Sequence, residues 1–234
     1  MRPDDVLPRD ELRWVTADEA NAFLSAVYGW MCAGLAITAV TAWFIAASPT
    51  VLGTIAANRE LFWGLLIVQL GIVVVLSAWV QQLAAPLAWL LFVLVSAVTG
   101  LTMAFVTLAV TGESVVTTFL VTSGMFGGLA IYGTVTRRSL GELGQFLFMG
   151  LLGVVLASIV AVFWRTGAFQ FVLSLVGVLV FSGLAAYDAQ RLKVIALQTP
   201  GDRSTSNAVV GALALYLDFT NLFLFLLRFT GNRR

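Results

Sequence analysis

ALALYLDFTNLFLFLL, residues 212–227, reads as helix dissolved in lipid with one intruder, Asp218. A carboxylate at the centre of a membrane helix costs roughly 2.5–3.5 kcal/mol on insertion scales. Either the segment lies outside a membrane or the acid serves a purpose. Composition decides between them. The 234 residues are 60% hydrophobic and only 11% charged, with a mean hydropathy of +0.97. A soluble domain carries about 25% charge, and a soluble fold of this size has too little interior to hide so many apolar runs. The chain is therefore read as an all-α, polytopic membrane protein. Its formal net charge of +1, with no basic patch, gives nucleic acid no footing. Cys32 is the single cysteine, so no intramolecular disulfide forms, and the chain has no histidine.

About 20 apolar residues, rising 1.5 Å each, cross a hydrocarbon core of about 30 Å. Seven candidate spans emerge, at about 23–46, 61–80, 87–111, 115–136, 143–164, 168–190 and 208–229. The breaks at QQLAAP and TGES are short, but Pro86 suits a helix start and Gly112 a helix end. Trp43, Trp63, Trp79, Trp89 and Trp164 fall near span ends, where indole rings favour the headgroup zone. The acid leaves the last span open to question, with six spans and a re-entrant segment as the competing count.

Residues 1–20 form a charged tail, and residues 21–234 a single transmembrane domain. The tail carries Asp4, Asp5, Asp10, Glu11, Asp18 and Glu19 against Arg2, Arg9 and Arg13. It lacks the basic start and apolar core of a signal peptide. Thr16 to Glu19 has the pattern of a capping box that starts the first helix just before the membrane. The only other long polar stretch is RLKVIALQTPGDRSTSN, residues 191–207, read as a loop between the last two spans. Lys and Arg set the orientation. The tail's side collects Arg2, Arg9, Arg13, Arg137, Arg138, Arg191, Lys193 and Arg203, against Arg59, Arg165, Arg228, Arg233 and Arg234 opposite. Eight against five places the tail in the cytoplasm.

Asp218 has a counterpart. The sixth span ends FSGLAAYDAQRLK, with Asp188 about one turn inside the end of its helix. If the last two spans are antiparallel neighbours, the carboxylates meet only if the sixth helix continues or the seventh starts late. Gly211, Ala214, Asp218, Asn221 and Phe225 share one stripe at spacings of three and four. Small at its start and polar in its middle, that stripe should face other helices and not lipid, which puts the last helix at the centre of the bundle. Blander roles stay open. Asp188 could pair with Arg191 or Lys193, and Asp218 could hydrogen-bond a Tyr, Ser or Thr on another helix. Arg228, the nearest cation to Asp218 in sequence, is ten residues on, roughly 15 Å along a helix. An ionisable residue this deep is a functional candidate by default.

YDAQ at 187–190, ALALYLDFTNLFLFLLR at 212–228 and FLSAVYGWMCAGLAITAVTAWF at 23–44 closely resemble the Bax-inhibitor family (transmembrane Bax-inhibitor-motif proteins), its bacterial members above all. The resemblance covers nearly the whole chain. It implies an inner-membrane protein of seven helices whose last helix is wrapped by the other six. It also implies that Asp188 and Asp218 match the family's paired aspartates, which share a proton and gate a pH-sensitive calcium leak. One departure stands out. Family members with this gate have basic residues just after the second span, one of which latches the second aspartate. Here the region reads WVQQLAAP, and Gln81 and Gln82 can hydrogen-bond a carboxylate but not neutralise it.

Physical chemistry supports such a pair independently. Two carboxylates a few ångströms apart in a poorly solvated site cannot both ionise cheaply, so they hold one proton between them. Deprotonated, they offer up to four oxygens, whereas Ca²⁺ takes six to eight. Water, backbone carbonyls, Tyr187, Tyr216 or Asn221 would supply the rest. So few fixed ligands suit transient passage better than storage.

Two rival functions were weighed. Paired intramembrane aspartates suggest a protease, but such enzymes carry Gly-x-Gly-Asp where this chain has Leu215-Tyr216-Leu217-Asp218. Without histidine there is no Ser-His catalysis and no HExxH zinc site. VTSGMFGG, residues 121–128, is read as helix packing through a Gly124/Gly128 pair. The other rival is a regulatory protein. The resemblance to bacterial members implies contact with an FtsH-type membrane protease, which the charged tail would serve.

Overall fold

The computed structural model describes residues 17–79, 85–164, 166–198 and 204–231. Most of the charged tail, Gln81 and Gln82, and residues 199–203 lie outside the described residues. Among the described residues eight helices follow one another: α1 (Ala17–Ala46), α2 (Pro49–Ala57), α3 (Arg59–Trp79), α4 (Ala85–Ala109), α5 (Gly112–Val135), α6 (Gly141–Phe163), α7 (Gly167–Gln198) and α8 (Ser204–Thr230). Apolar runs of this length leave the backbone no water to bond, so helix is the only form that satisfies it.

Among the described residues, six helices are long and apolar enough to cross a membrane: α1, α4, α5, α6, α7 and α8. The protein is a polytopic, all-α membrane protein. The shortfall from seven lies in α3, whose apolar stretch runs only from Trp63 to Ser77. It does not lie in the acid-bearing last span, where the sequence raised the question. A further short helix, α2, lies between the first two expected spans. Gly112, expected to end the third span, instead opens α5, where the Thr111 side chain accepts from the Ser114 amide at 3.3 Å.

The larger correction concerns residues 191–207. Residues 191–198 continue α7 and residues from Ser204 on belong to α8, so most of the expected loop is helix. Leu192 and Ala196 explain the continuation, since both are buried against the bundle and one turn apart. Asp188 consequently sits about 15 Å from the end of its helix, not one turn from it.

The last helix is the hub. Within its apolar window 72% of residues are buried, against 39% or less in the other spans. Polar atoms scattered along α8 make lipid a poor neighbour, and four helices replace it. α1, α4, α5 and α7 pack directly on α8, while α6 lies mainly against α7 and α3 mainly against α4. The surround is thus closer to four helices than to the six that the resemblance implied. Glycines bring these axes close. Gly100 of α4 lies on the Thr38 carbonyl of α1, and Gly133 of α5 lies on the Ala186 carbonyl of α7, so a methyl group has no room at either position. Gly124 and Gly128, expected to pack a helix, are exposed with open space beside them.

Candidate functional site

Three residues of α8, each seven apart, face α7 as a ladder. Gly211 meets Leu192, Asp218 meets Asp188, and Phe225 stacks on Phe181 with ring centroids 5.8 Å apart. Seven residues are close to two helical turns, so the three rungs recur on one face. Phe225 also fills the space that Gly177 leaves open. The polar rung is therefore sealed by apolar ones above and below.

At that rung the Asp188 and Asp218 carboxyl groups come within hydrogen-bonding reach of one another. Asp218 is only 5% exposed, and its Oδ2 is buried with no hydrogen-bond partner among the described residues. Asp188 is half-buried and close enough to Arg191 for that charge to act on it. Lys193, the other cation proposed for Asp188, is engaged elsewhere and donates through Nζ to the Thr134 carbonyl at 2.7 Å.

The YDAQ segment assigns a different neighbour to each side chain. The Tyr187 ring lies on Gly144 of α6, and Asp188 faces Asp218. Ala189 is fully buried. Gln190 clamps the α5–α6 connection, accepting from the Leu140 amide at 2.8 Å and donating to the Arg138 carbonyl at 2.9 Å. Tyr187 thus points away from the acids. So does Tyr216, whose hydroxyl meets Thr38 at 2.7 Å on the other side of α8. Asn221 stands one turn from Asp218 and donates to the Leu217 carbonyl at 2.8 Å. It lines a cavity of about 560 Å³ together with Ser158 and Arg228. Of the supporting residues read from sequence, neither tyrosine joins the pair.

Sequence reasoning missed the partners of Tyr216. Thr38 also donates to the Ser96 carbonyl at 2.9 Å, and the Ser96 and Thr99 hydroxyls lie within reach of Tyr216. Gln69 of α3 donates to Thr99 at 3.0 Å. The available signal was the presence of Thr38, Ser96, Thr99 and Gln69 inside otherwise apolar runs, where each needs a partner.

The spacing of Asp188 and Asp218 on two adjoining helices, with the hub helix between α1 and α7, is a whole-chain property, and whole-chain likeness decides its ancestry. Residues 20–234 match the family described as "Inhibitor of apoptosis-promoting Bax1". The chain belongs to the Bax-inhibitor family. It is 47% identical over 218 residues to the inner membrane protein YbhL of Escherichia coli, covering 92% of this chain and 93% of that one. It is 40% identical over 216 residues to a protein of Borreliella burgdorferi, with 92% and 93% covered. A Caulobacter vibrioides protein is 35% identical over 244 residues, with 97% and 98% covered. This Bax-inhibitor protein is a multi-pass protein of the inner membrane. Among its described residues no group of three or more His, Cys, Asp or Glu side chains gathers to hold a metal.

Proposed function

We propose that this Bax-inhibitor protein is a pH-sensitive leak for cations, calcium foremost, gated by the Asp188–Asp218 pair. The approach of two carboxyl groups inside the bundle, one of them with an unpartnered oxygen, carries the reading. A buried polar atom without a partner is costly, and an intramembrane acid tends to mark an ion or proton path. With one proton shared, the pair holds α7 to α8. Without it, two like charges repel across a poorly solvated gap and favour separation, water and a cation. Calcium is cargo here and not a resident ion, since four carboxylate oxygens fall short of its six to eight ligands.

The pathway requires a closed bundle, and α3 is proposed as its seventh crossing, packed on α4. An odd count puts the termini on opposite sides, and the eight-to-five charge bias assigns the N-terminus to the cytoplasm. Reporter fusions at both ends check this, and termini found on the same side would remove α3 as a crossing.

Purified protein in liposomes loaded with a calcium dye tests the gate. Flux should rise as pH is raised between about pH 5 and pH 8, because the shared proton is lost in that direction. Asp218→Asn should abolish the pH response. Flux that is flat, or that rises on acidification, refutes the gate.

A further inference from the structure

α1 and α5 both pack on α8 yet leave a slot between them of about 850 Å³, within the usual range of small-molecule sites. Its walls are unusual. Small residues face each other across it: Cys32 and Ala36 from α1, Gly127 and Ala130 from α5. Such residues ordinarily let two helices close up. Here the helices stay apart, and a Cβ at Gly127 would stand in open space. Phe126 and Phe219 form the floor, both buried. The slot therefore has the section of a groove with smooth sides and an aromatic base.

Its polarity is one-ended. Along α1 the lining runs from Asn21 to Ala39, roughly 27 Å at 1.5 Å per residue. Thr134 and Lys193 meet at one end and Asn21 also lines the slot, while Ser123 further along α5 is spent on its own helix at the Phe119 carbonyl. Lys193 is exposed and spends one ammonium hydrogen on the Thr134 carbonyl, leaving two donors for another acceptor. Arg137 and Arg138, just beyond α5, add positive charge at the same end. The apolar length exceeds the hydrocarbon depth of one leaflet, about 15 Å.

We propose that this slot binds one glycerophospholipid of the surrounding bilayer, with its phosphate at Lys193 and an acyl chain laid between α1 and α5. Charge complementarity at one end and an apolar trough along the rest match the two halves of such a molecule, as in other basic pockets between membrane helices. Neither Asp188 nor Asp218 lines the slot, so the assignment does not rest on the aspartate gate.

Cys32 provides the reporter, being the chain's only cysteine and lying exposed in the slot wall. The purified protein in neutral detergent is alkylated with N-ethylmaleimide, with or without added lipid. Dioleoylphosphatidylglycerol should slow the reaction at least several-fold. Dioleoylglycerol, which has the chains without the phosphate, should not protect, and neither should glycerol phosphate, which has the phosphate without the chains. Lys193→Gln should remove the protection while Lys193→Arg keeps it. Gly127→Leu, which grows into open space, should displace the chain and also lose the phospholipid's effect. A melting curve confirms that each variant folds. Equal protection by dioleoylglycerol, protection that survives Lys193→Gln, or no protection of the native chain would each overturn the assignment.

Discussion

The two faces of α8 treat their polar groups in opposite ways. On one face Tyr216 is fully buried, bonded to Thr38 and flanked by Ser96 and Thr99, with its ring edge-on to Phe92 at 5.8 Å. On the other, two residues along, Asp218 meets a second acid and keeps an oxygen without a partner. Both faces lie at the same depth. A satisfied cluster of neutral hydroxyls ties α1, α4 and α8 into one arrangement. A pair of like acids holds its helices together only as long as a proton lies between them. The Tyr216 face is thus a fixed joint and, under the proposed gate, the Asp218 face is a conditional one. Even the fixed side is incomplete at its rim, where Gln69 Oε1 on α3 is buried without a partner.

Substitutions at α8 should separate these roles. Tyr216→Ala removes a buried ring from the joint and should cost about 3–5 kcal/mol of unfolding free energy, as aromatic truncations in cores do. Denaturation in mixed micelles measures it, and a loss below about 1 kcal/mol would mean that this face is no anchor. Gly133→Ala should come next, at about 1–3 kcal/mol, because its methyl group meets the Ala186 carbonyl rather than a side chain that can turn away. Tyr216→Phe keeps the ring and removes one hydrogen bond to Thr38, which retains its bond to the Ser96 carbonyl, so the loss should be about 0.6–1.7 kcal/mol, the scale of hydrogen bonds between membrane helices. Smallest in stability should be Asp218→Asn, within about 0.5 kcal/mol of the parent or above it, since an amide is cheaper to bury than a carboxylate. That variant should nonetheless lose the pH response of calcium flux. Asp188→Asn should match it, and the double variant should add little, because partners acting as a unit are non-additive. Were Asp218→Asn to lose several kcal/mol and keep its flux profile, the two faces would have to exchange roles.

Much of this was legible in the sequence because lipid enforces it. Length, apolar composition and the isolated acid fixed the class, and the three-and-four spacing around Asp218 pointed helix α8 inward. The meeting of Asp188 with Asp218 is legible only conditionally, because it depends on where the preceding helix stops. Arg191, Lys193 and Gln198 look like loop residues, yet Leu192 and Ala196 between them are buried and carry the helix onward. A mean over the segment hides that alternation. The glycines misled for a related reason. Gly124 and Gly128 have the right spacing for contact, but spacing cannot say whether a partner helix lies opposite. Gly133, in no motif, makes the closest approach.

The helices also disagree about how thick a membrane should be. Trp63–Ser77 of α3 offers an apolar length of roughly 22 Å, whereas the uncharged run of α7 from Gly167 to Tyr187 offers roughly 31 Å. A bilayer core of about 30 Å fits the second and exceeds the first, and tilt or local deformation must absorb the mismatch at α3. α3 is fastened mainly to α4 and so is the helix freest to tilt or be drawn inward. Lipid chain length should therefore act on this protein as a mechanical variable, with short-chain bilayers relieving α3 and long-chain ones straining it.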